Sequence, residues 1–409
     1  MREDTQLIHG YGKEDPLTGA VNVPIYQTAT FRQPELGRCL GYEYSRTGNP
    51  TRAALEREIA VLEHGTAGFA FASGMAAIAA VLSLFRSGDR ILISSNVYGG
   101  TFRILDKVFS NFGITYSIVH TEDAERFESE ITADAKAVLI ESPANPLMTV
   151  TDIAAAAQAA RRHGLLTIVD NTFMGPYLQK PLDLGADIVV HSATKYIGGH
   201  SDVVAGLAVV KDKGLAERLA FIQNASGGVL GPFDSYLLIR SLKTLGVRME
   251  RHCSNAQYMA EHLAADPRIA KVHYPGLPTD PGYEVNRRQA RSGGGMISFE
   301  LAPGYDYRKF LNSVKLIALA ESLGGVESLI CHPASMTHAS IPKEIREKVG
   351  ITDGLVRLSV ASRTGTTSWR TSAGRSMPRR SELFRKQEEK GSIRDTSIRY
   401  RTGSGTPRS

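Results

Sequence analysis

A lysine follows a short apolar run in Ile188-Val189-Val190-His191-Ser192-Ala193-Thr194-Lys195, and its neighbours suit it for covalent chemistry. Ile188 to Val190 reads as a buried strand. Lys195 then falls just past it, at the carboxyl edge where open α/β sheets place their ligands. Ser192 and Thr194 offer small hydroxyl donors of the kind that hold a phosphate. An amine beside a phosphate site points to a Schiff-base lysine and to pyridoxal phosphate. Taken alone, Ser-x-Thr-Lys fits an ordinary exposed lysine after a strand better, because short motifs match freely by chance.

Four further places carry suitable groups. Asp170 closes the apolar run Leu165 to Val169, so a carboxylate stands at a strand's carboxyl end one strand before Lys195. Phe69 to Ile78 reads as strand, tight turn and helix. Gly74 there lets the backbone approach an anion, and the first amides of the helix, from Met75 onward, point toward it. Tyr98 precedes Gly99-Gly100 and presents an aromatic face where backbone can come close. In the loop Gly41 to Thr51, Tyr44 and Arg46 offer a phenol and a planar guanidinium to a phosphate. Each alone has a plainer reading: a turn glycine, a core tyrosine, a surface loop.

The elements that must position these groups alternate. Apolar runs of strand length at 90–94, 136–140, 165–169 and 188–190 are separated by helical patterns, as at 152–163. That alternation predicts an α/β fold with a doubly wound, mainly parallel sheet. Residues 1–45, rich in Gly, Pro, Thr and Tyr without a period, read as an N-terminal extended arm. Residues 46–244 read as a large domain and 245–360 as a smaller C-terminal α+β domain ending on the strand Val356-Arg357-Leu358-Ser359-Val360. Hydrophobic content of 42% and charged content of 22% are ordinary for a soluble enzyme, and no apolar run reaches the length of a membrane span. The three scattered cysteines, Cys39, Cys253 and Cys331, form no metal-binding pair and suggest a reducing, cytoplasmic setting.

The net charge of +6 is unevenly placed. Residues 361–409 hold 12 Lys+Arg and 4 Asp+Glu, which leaves 36 basic and 38 acidic residues in 1–360. The body is near neutral, and nothing in it calls for nucleic acid. From Ala361 the chain turns to Ser, Thr, Arg and Gly, a composition that buries little and reads as disordered. It also reads as frame-shifted: codons able to encode residues 361–370, restored by one nucleotide, give Gly-Ile-Glu-Asp-Arg-Asp-Asp-Leu-Val-Glu, an acidic helix start. The product of a damaged gene, catalytically impaired, is therefore a reading of a different class.

Together these stretches resemble the Cys/Met-metabolism family of pyridoxal-phosphate enzymes, of fold type I, over about residues 5–360. The carriers are Tyr44 to Thr51, Ser73 to Ala77, Val97 to Thr101, Asp170 to Thr172, Ser192 to Lys195 and Arg357 to Val360. The resemblance implies that Lys195 holds the cofactor and moves protons between substrate carbons. Asp170 would keep the pyridine nitrogen protonated, and Tyr98 would stack on the ring and exchange protons with the substrate. Gly74 and Met75 amides with Ser192 and Thr194 hydroxyls would hold the phosphate. It also implies that Tyr44 and Arg46 reach the phosphate of a neighbouring subunit, in a homotetramer built as a dimer of dimers. Arg357 would clamp the substrate α-carboxylate, helped by Asn145 and the Ser322 region, with Arg103 a further substrate contact.

Glu321 looks like the acidic residue of cystathionine γ-lyases and γ-synthases, where β-lyases tend to carry an aromatic. Gly100 stands where methionine γ-lyases carry a cysteine. The run Ala320 to Gly325, with Met336 to Ser340, looks most like bacterial cystathionine or homocysteine γ-lyases. The expected reaction is γ-elimination of cystathionine to cysteine, 2-oxobutanoate and ammonia; γ-synthase on acyl-homoserine and β-lyase are the alternatives. After Val360 the chain departs from the family's Gly-x-Glu-Asp stretch and terminal helix.

Overall fold

In the computed structural model, residues 2–362 are described except 11, 13, 14, 16 and 338–342. The basic tail from 363 onward therefore lies outside the described residues, and so do His338 to Ser340 of the run singled out above. Seven strands form the larger sheet: β1 Ala67–Phe71, β2 Arg90–Ser94, β3 Thr115–Val119, β4 Ala135–Glu141, β5 Leu166–Asp170, β6 Ile188–Ser192 and β7 Gly206–Val210. Their order is β1-β7-β6-β5-β4-β2-β3. All neighbours pair parallel except those of β7, which runs antiparallel to both β1 and β6.

The central strands read as unbroken apolar runs because both of their faces are buried. Val138, Ile140, Val169 and Val189 pack into one core layer. Their alternates Leu139, Ile168, Ile188 and Val190 pack into the other. Strand β7, Gly206-Leu207-Ala208-Val209-Val210, is a further apolar run of this kind that went unread in the sequence.

The first residues of the expected extended arm are helical. Glu3–His9 form a helix, α1, whose Leu7 is 2% exposed and packs in the larger core. Acidic Glu3 and Asp4 sit in its first turn, charges that suit the helix dipole. Helix α2, Pro50–Leu62, begins on Asn49, whose side chain caps the Thr51 and Arg52 amides. Helix α3, Gly74–Leu82, begins on Ser73, whose Oγ accepts the Ala76 N–H. Helix α4 is Gly99–Lys107.

A second sheet follows, of β8 Ile269–His273, β9 Met296–Leu301, β10 Ala318–Leu319, β11 Leu329–Cys331 and β12 Leu355–Ser359. Its order is β10-β11-β12-β9-β8. The 20-residue helix Leu245–Ala264 joins the two cores. Leu245, Met249 and Cys253 pack under the large sheet, while Ala256, Met259 and Leu263 pack with Ile297, Phe299 and Leu358 of the small one. The same helix holds the end of β12: His252 Nδ1 lies 2.6 Å from the Val360 carbonyl and Asn255 donates to the Ala361 carbonyl at 2.8 Å.

Candidate active site

The carboxyl ends of β1, β2, β4, β5 and β6 meet the small sheet around a cavity of about 260 Å³. Lys195 lines it, in the turn after β6. Its Nζ donates to Ser322 Oγ at 2.8 Å, and Ser322 sits at φ 76°, a left-handed backbone unusual for a non-glycine residue. Burial lowers the Lys195 amine to about 8, the Arg357 charge assisting and Glu321 opposing. Such an amine is available as a neutral base near physiological pH. Behind it the buried Arg248 guanidinium donates to the Tyr196 carbonyl at 2.7 Å and to the Ser241 carbonyl at 3.0 Å, fixing the turn that carries Lys195.

Asp170 ends β5 and is 8% exposed. Its Oδ1 accepts the Thr172 N–H at 3.0 Å and the Thr172 hydroxyl at 2.5 Å. Thr172 Oγ1 in turn accepts the Ser192 N–H at 2.8 Å, tying the ends of β5 and β6 together. Burial raises the Asp170 pKa, while the Thr172 hydrogen bonds and the His191 charge pull it down. Among the described residues this carboxylate makes no salt bridge.

The first turn of α3 closes another wall. A Cβ on Gly74 would come within 2.9 Å of Ser192 Cβ, and one on Gly206 within 2.0 Å of the Ser73 carbonyl oxygen. Glycine at both places lets three backbone segments converge on the helix N-terminus, where amides and the helix dipole favour an anion. Ser73, Gly74, Met75, Ser192 and Thr194 all line this end of the cavity. At the mouth Tyr98 is 40% exposed. A Cβ on Gly100 would lie 2.4 Å from the Tyr98 ring, so the ring's placement requires glycine there.

The opposite wall comes from residues far apart in sequence. Arg357 on β12 is 3% exposed. It donates from Nη1 to Asn145 Oδ1 at 2.7 Å and from Nη2 to the Ser322 carbonyl at 3.1 Å. Glu321 lines the cavity with an exposed side chain. The cavity thus gathers Lys195, Asp170, Tyr98, Gly74, Met75, Ser192, Thr194, Asn145, Glu321, Ser322 and Arg357.

Three residues marked in the sequence lie elsewhere. Arg103, on α4, is exposed and lines no part of the cavity. Arg46 donates to the Asn224 carbonyl at 2.6 Å and stands over the Tyr44 ring at 5.5 Å, both outside the cavity of this single chain. Cavity residues outside the expected site set include Thr172, His191, and Glu141 at the end of β4, in register with Asp170 on β5. Glu141 closes an apolar strand as Asp170 does, and that shared pattern was the available signal.

The donor set fits pyridoxal phosphate: an amine, a buried carboxylate that makes no salt bridge among the described residues, an aromatic cap and an anion-binding helix end converge on one cavity. The family model for Cys/Met metabolism PLP-dependent enzymes matches residues 4–362. The chain is 55% identical over 356 residues to the cystathionine beta-lyase of Lactococcus lactis subsp. cremoris (strain MG1363), covering 87% of this chain and 94% of that protein. It is 53% identical over 360 residues to the cystathionine gamma-lyase of Bacillus subtilis (strain 168), covering 88% and 95%. The crystal structure of cystathionine gamma-lyase from Lactobacillus plantarum complexed with L-serine superposes with a TM-score of 0.88 at 51% identity, covering 91% of this chain and 99% of that one.

Proposed function

Since the chain belongs to the Cys/Met-metabolism family of pyridoxal-phosphate-dependent enzymes, we propose that it is a carbon–sulfur lyase whose reaction is γ-elimination of cystathionine. One water is consumed; the Cγ–S bond breaks, the thiol leaves as cysteine, and the remaining four carbons end as 2-oxobutanoate with release of ammonia. When bound, pyridoxal phosphate supplies an electron sink for charge developing on the substrate carbons.

The chain's own residues do the rest. Lys195 takes and returns protons along the substrate, a task suited to an amine held near a pKa of 8. Asp170 would serve the ring nitrogen and keep it protonated, because a buried carboxylate favours a cation beside it. The α3 amides with Ser192 and Thr194 would hold the phosphate, and Tyr98 would cover the ring. Arg357 grips the substrate carboxylate with Asn145 beside it, and Ser322 holds the Lys195 amine next to that grip.

The single observation that carries the substrate assignment is the pairing of the Arg357 clamp with the Glu321 carboxylate on one cavity. A ligand with an α-carboxylate at one end and an ammonium at the other satisfies both, and cystathionine has that form. Relatives named beta-lyase and gamma-lyase match almost equally, so the products decide. Purified protein given cystathionine should release 2-oxobutanoate and cysteine. Pyruvate and homocysteine would assign β-elimination instead, and cystathionine made only from acyl-homoserine and cysteine would assign the synthase.

The working unit in this reading is a homotetramer, a dimer of dimers, in which Tyr44 and Arg46 serve a neighbouring cavity. Leu17, Val21, Leu36 and Leu40 of the same arm are all at least 77% exposed, which supports burial against a second copy. Three free cysteines support a cytoplasmic setting.

A further inference from the structure

Glu141 is a buried acid in the cavity wall to which the proposed chemistry gives no task. It is 6% exposed, and its two oxygens serve two different loops. Oε2 accepts the Tyr98 N–H at 2.6 Å, and Oε1 accepts the Asn145 N–H at 3.1 Å. Tyr98 is the cap of the cavity and the residue before α4. Asn145 carries the side chain that meets Arg357. An unbroken series of hydrogen bonds therefore runs Tyr98–Glu141–Asn145–Arg357, from the aromatic cap to the guanidinium.

We infer that Glu141 is a positioning residue that couples the setting of the Tyr98 ring over the cofactor to the setting of the Asn145–Arg357 clamp on an amino-acid carboxylate. The inference rests on the reading of that clamp given above. Its chemistry is specific to a carboxylate. Two N–H donors arrive from opposite loops, and only a carboxylate offers an acceptor to each. A glutamine would place its NH₂ against one of them, keeping one loop and releasing the other. A buried amide left unpaired is costly, so the released loop must move. Glu141 also stands beside Asp170 in the sheet register. Burial first, and then the Asp170 charge, raise its pKa well above the usual carboxylate range. The Tyr98 and Asn145 N–H bonds and the Arg357 charge pull the other way and favour the ionised form that accepts both bonds.

The test uses cofactor-loaded protein and L-serine as the probe, binding being read from the cofactor's visible band. Ring setting is read from visible-region circular dichroism without any amino acid. Glu141→Gln should weaken L-serine binding about tenfold, the scale of one hydrogen bond to a charged group, and should alter the dichroic band at unchanged cofactor content. Asn145→Ala should weaken L-serine binding in the native background and much less in the Glu141→Gln background, because the two act through one series of contacts. Unchanged serine affinity and dichroism in Glu141→Gln would overturn the inference. So would strictly additive effects, or a loss of affinity explained by an equal loss of cofactor or thermal stability. If native protein binds L-serine but yields no 2-oxobutanoate from cystathionine, the γ-lyase reading fails and these arms remain readable.

Discussion

The two walls of the cavity are built differently. The wall that carries Lys195, Asp170, Ser73 and Gly74 consists of strand ends and a helix start within one sheet, each set by the few residues before it. The wall that carries Arg357, Asn145, Ser322 and Glu321 is assembled across the junction with the second sheet. Its bonds span long stretches of chain: Asn145 to Arg357 is separated by 212 positions and Lys195 to Ser322 by 127. The first wall should therefore survive changes that shift the small sheet, whereas the second should not. Cofactor retention and substrate affinity become separable quantities.

The largest break comes from the first wall. Lys195→Ala should lower cystathionine turnover by at least about 10³-fold, the scale of losing a positioned proton-transfer group, and should remove the visible band of the bound cofactor. Persistence of that band would sink the assignment of Lys195. On the second wall, Arg357→Met removes both donors of the clamp. Hydrogen bonds to charged groups are worth about 1.5–3 kcal/mol, so KM for cystathionine should rise roughly tenfold to a hundredfold at unchanged cofactor content. Loss of cofactor in that variant would show that the two walls are not separable.

The same contrast governed what could be read from the sequence. Lys195, Asp170 and the Ser73-Gly74 turn announce themselves because an apolar strand ending in a chemically active residue is a local pattern. The mainly parallel sheet follows from the same alternation. Strand β7 did not show, because its run of small residues leads straight into the helical pattern that follows, nor did α1, whose docking depends on Leu7 finding the larger core. Arg357, Asn145 and Ser322 could be named only by resemblance, because no local pattern reveals that residues 212 positions apart will touch. Glu141 fell between the cases: its strand was visible, but its two N–H partners lie on loops before and after it.

A smaller effect concerns the chain beyond the small sheet. Strand β12 pairs with β9 over five residues and with β11 over three. Its end is then held by the Ser328 hydroxyl, which accepts the Ala361 N–H at 3.0 Å, together with Asn255 and His252. These contacts are complete by Ala361. Removing residues 363–409 should leave both cofactor content and KM within about twofold of the full chain, because the described contacts that hold the end of β12 are made by residues up to Ala361. A rise in KM without cofactor loss would mean that the second wall needs the tail.

The finest test of the contrast is pH, read through His252. This side chain is fully buried and its Nδ1 faces the Val360 carbonyl. Burial pushes its pKa down to about 4, against the pull of that carbonyl and with help from the Arg248 charge. In the unfolded chain an imidazole titrates near 6.5. Between those values the unfolded chain binds a proton that the folded chain does not, so stability is present above about 6.5 and is lost as pH falls toward 4. A direct hydrogen bond ties the imidazole to the end of the strand that carries Arg357, whereas its contact with the first wall is an edge-on ring contact with Tyr196, centroids 5.4 Å apart. Acidification over this window should therefore raise KM before it releases cofactor. Urea unfolding at several pH values should show a slope that His252→Gln flattens, with a cost of only about 1 kcal/mol at pH 7 from the altered bond. An identical slope in the variant would remove His252 as the cause, and cofactor loss that runs ahead of the KM rise would reverse the order of the two walls.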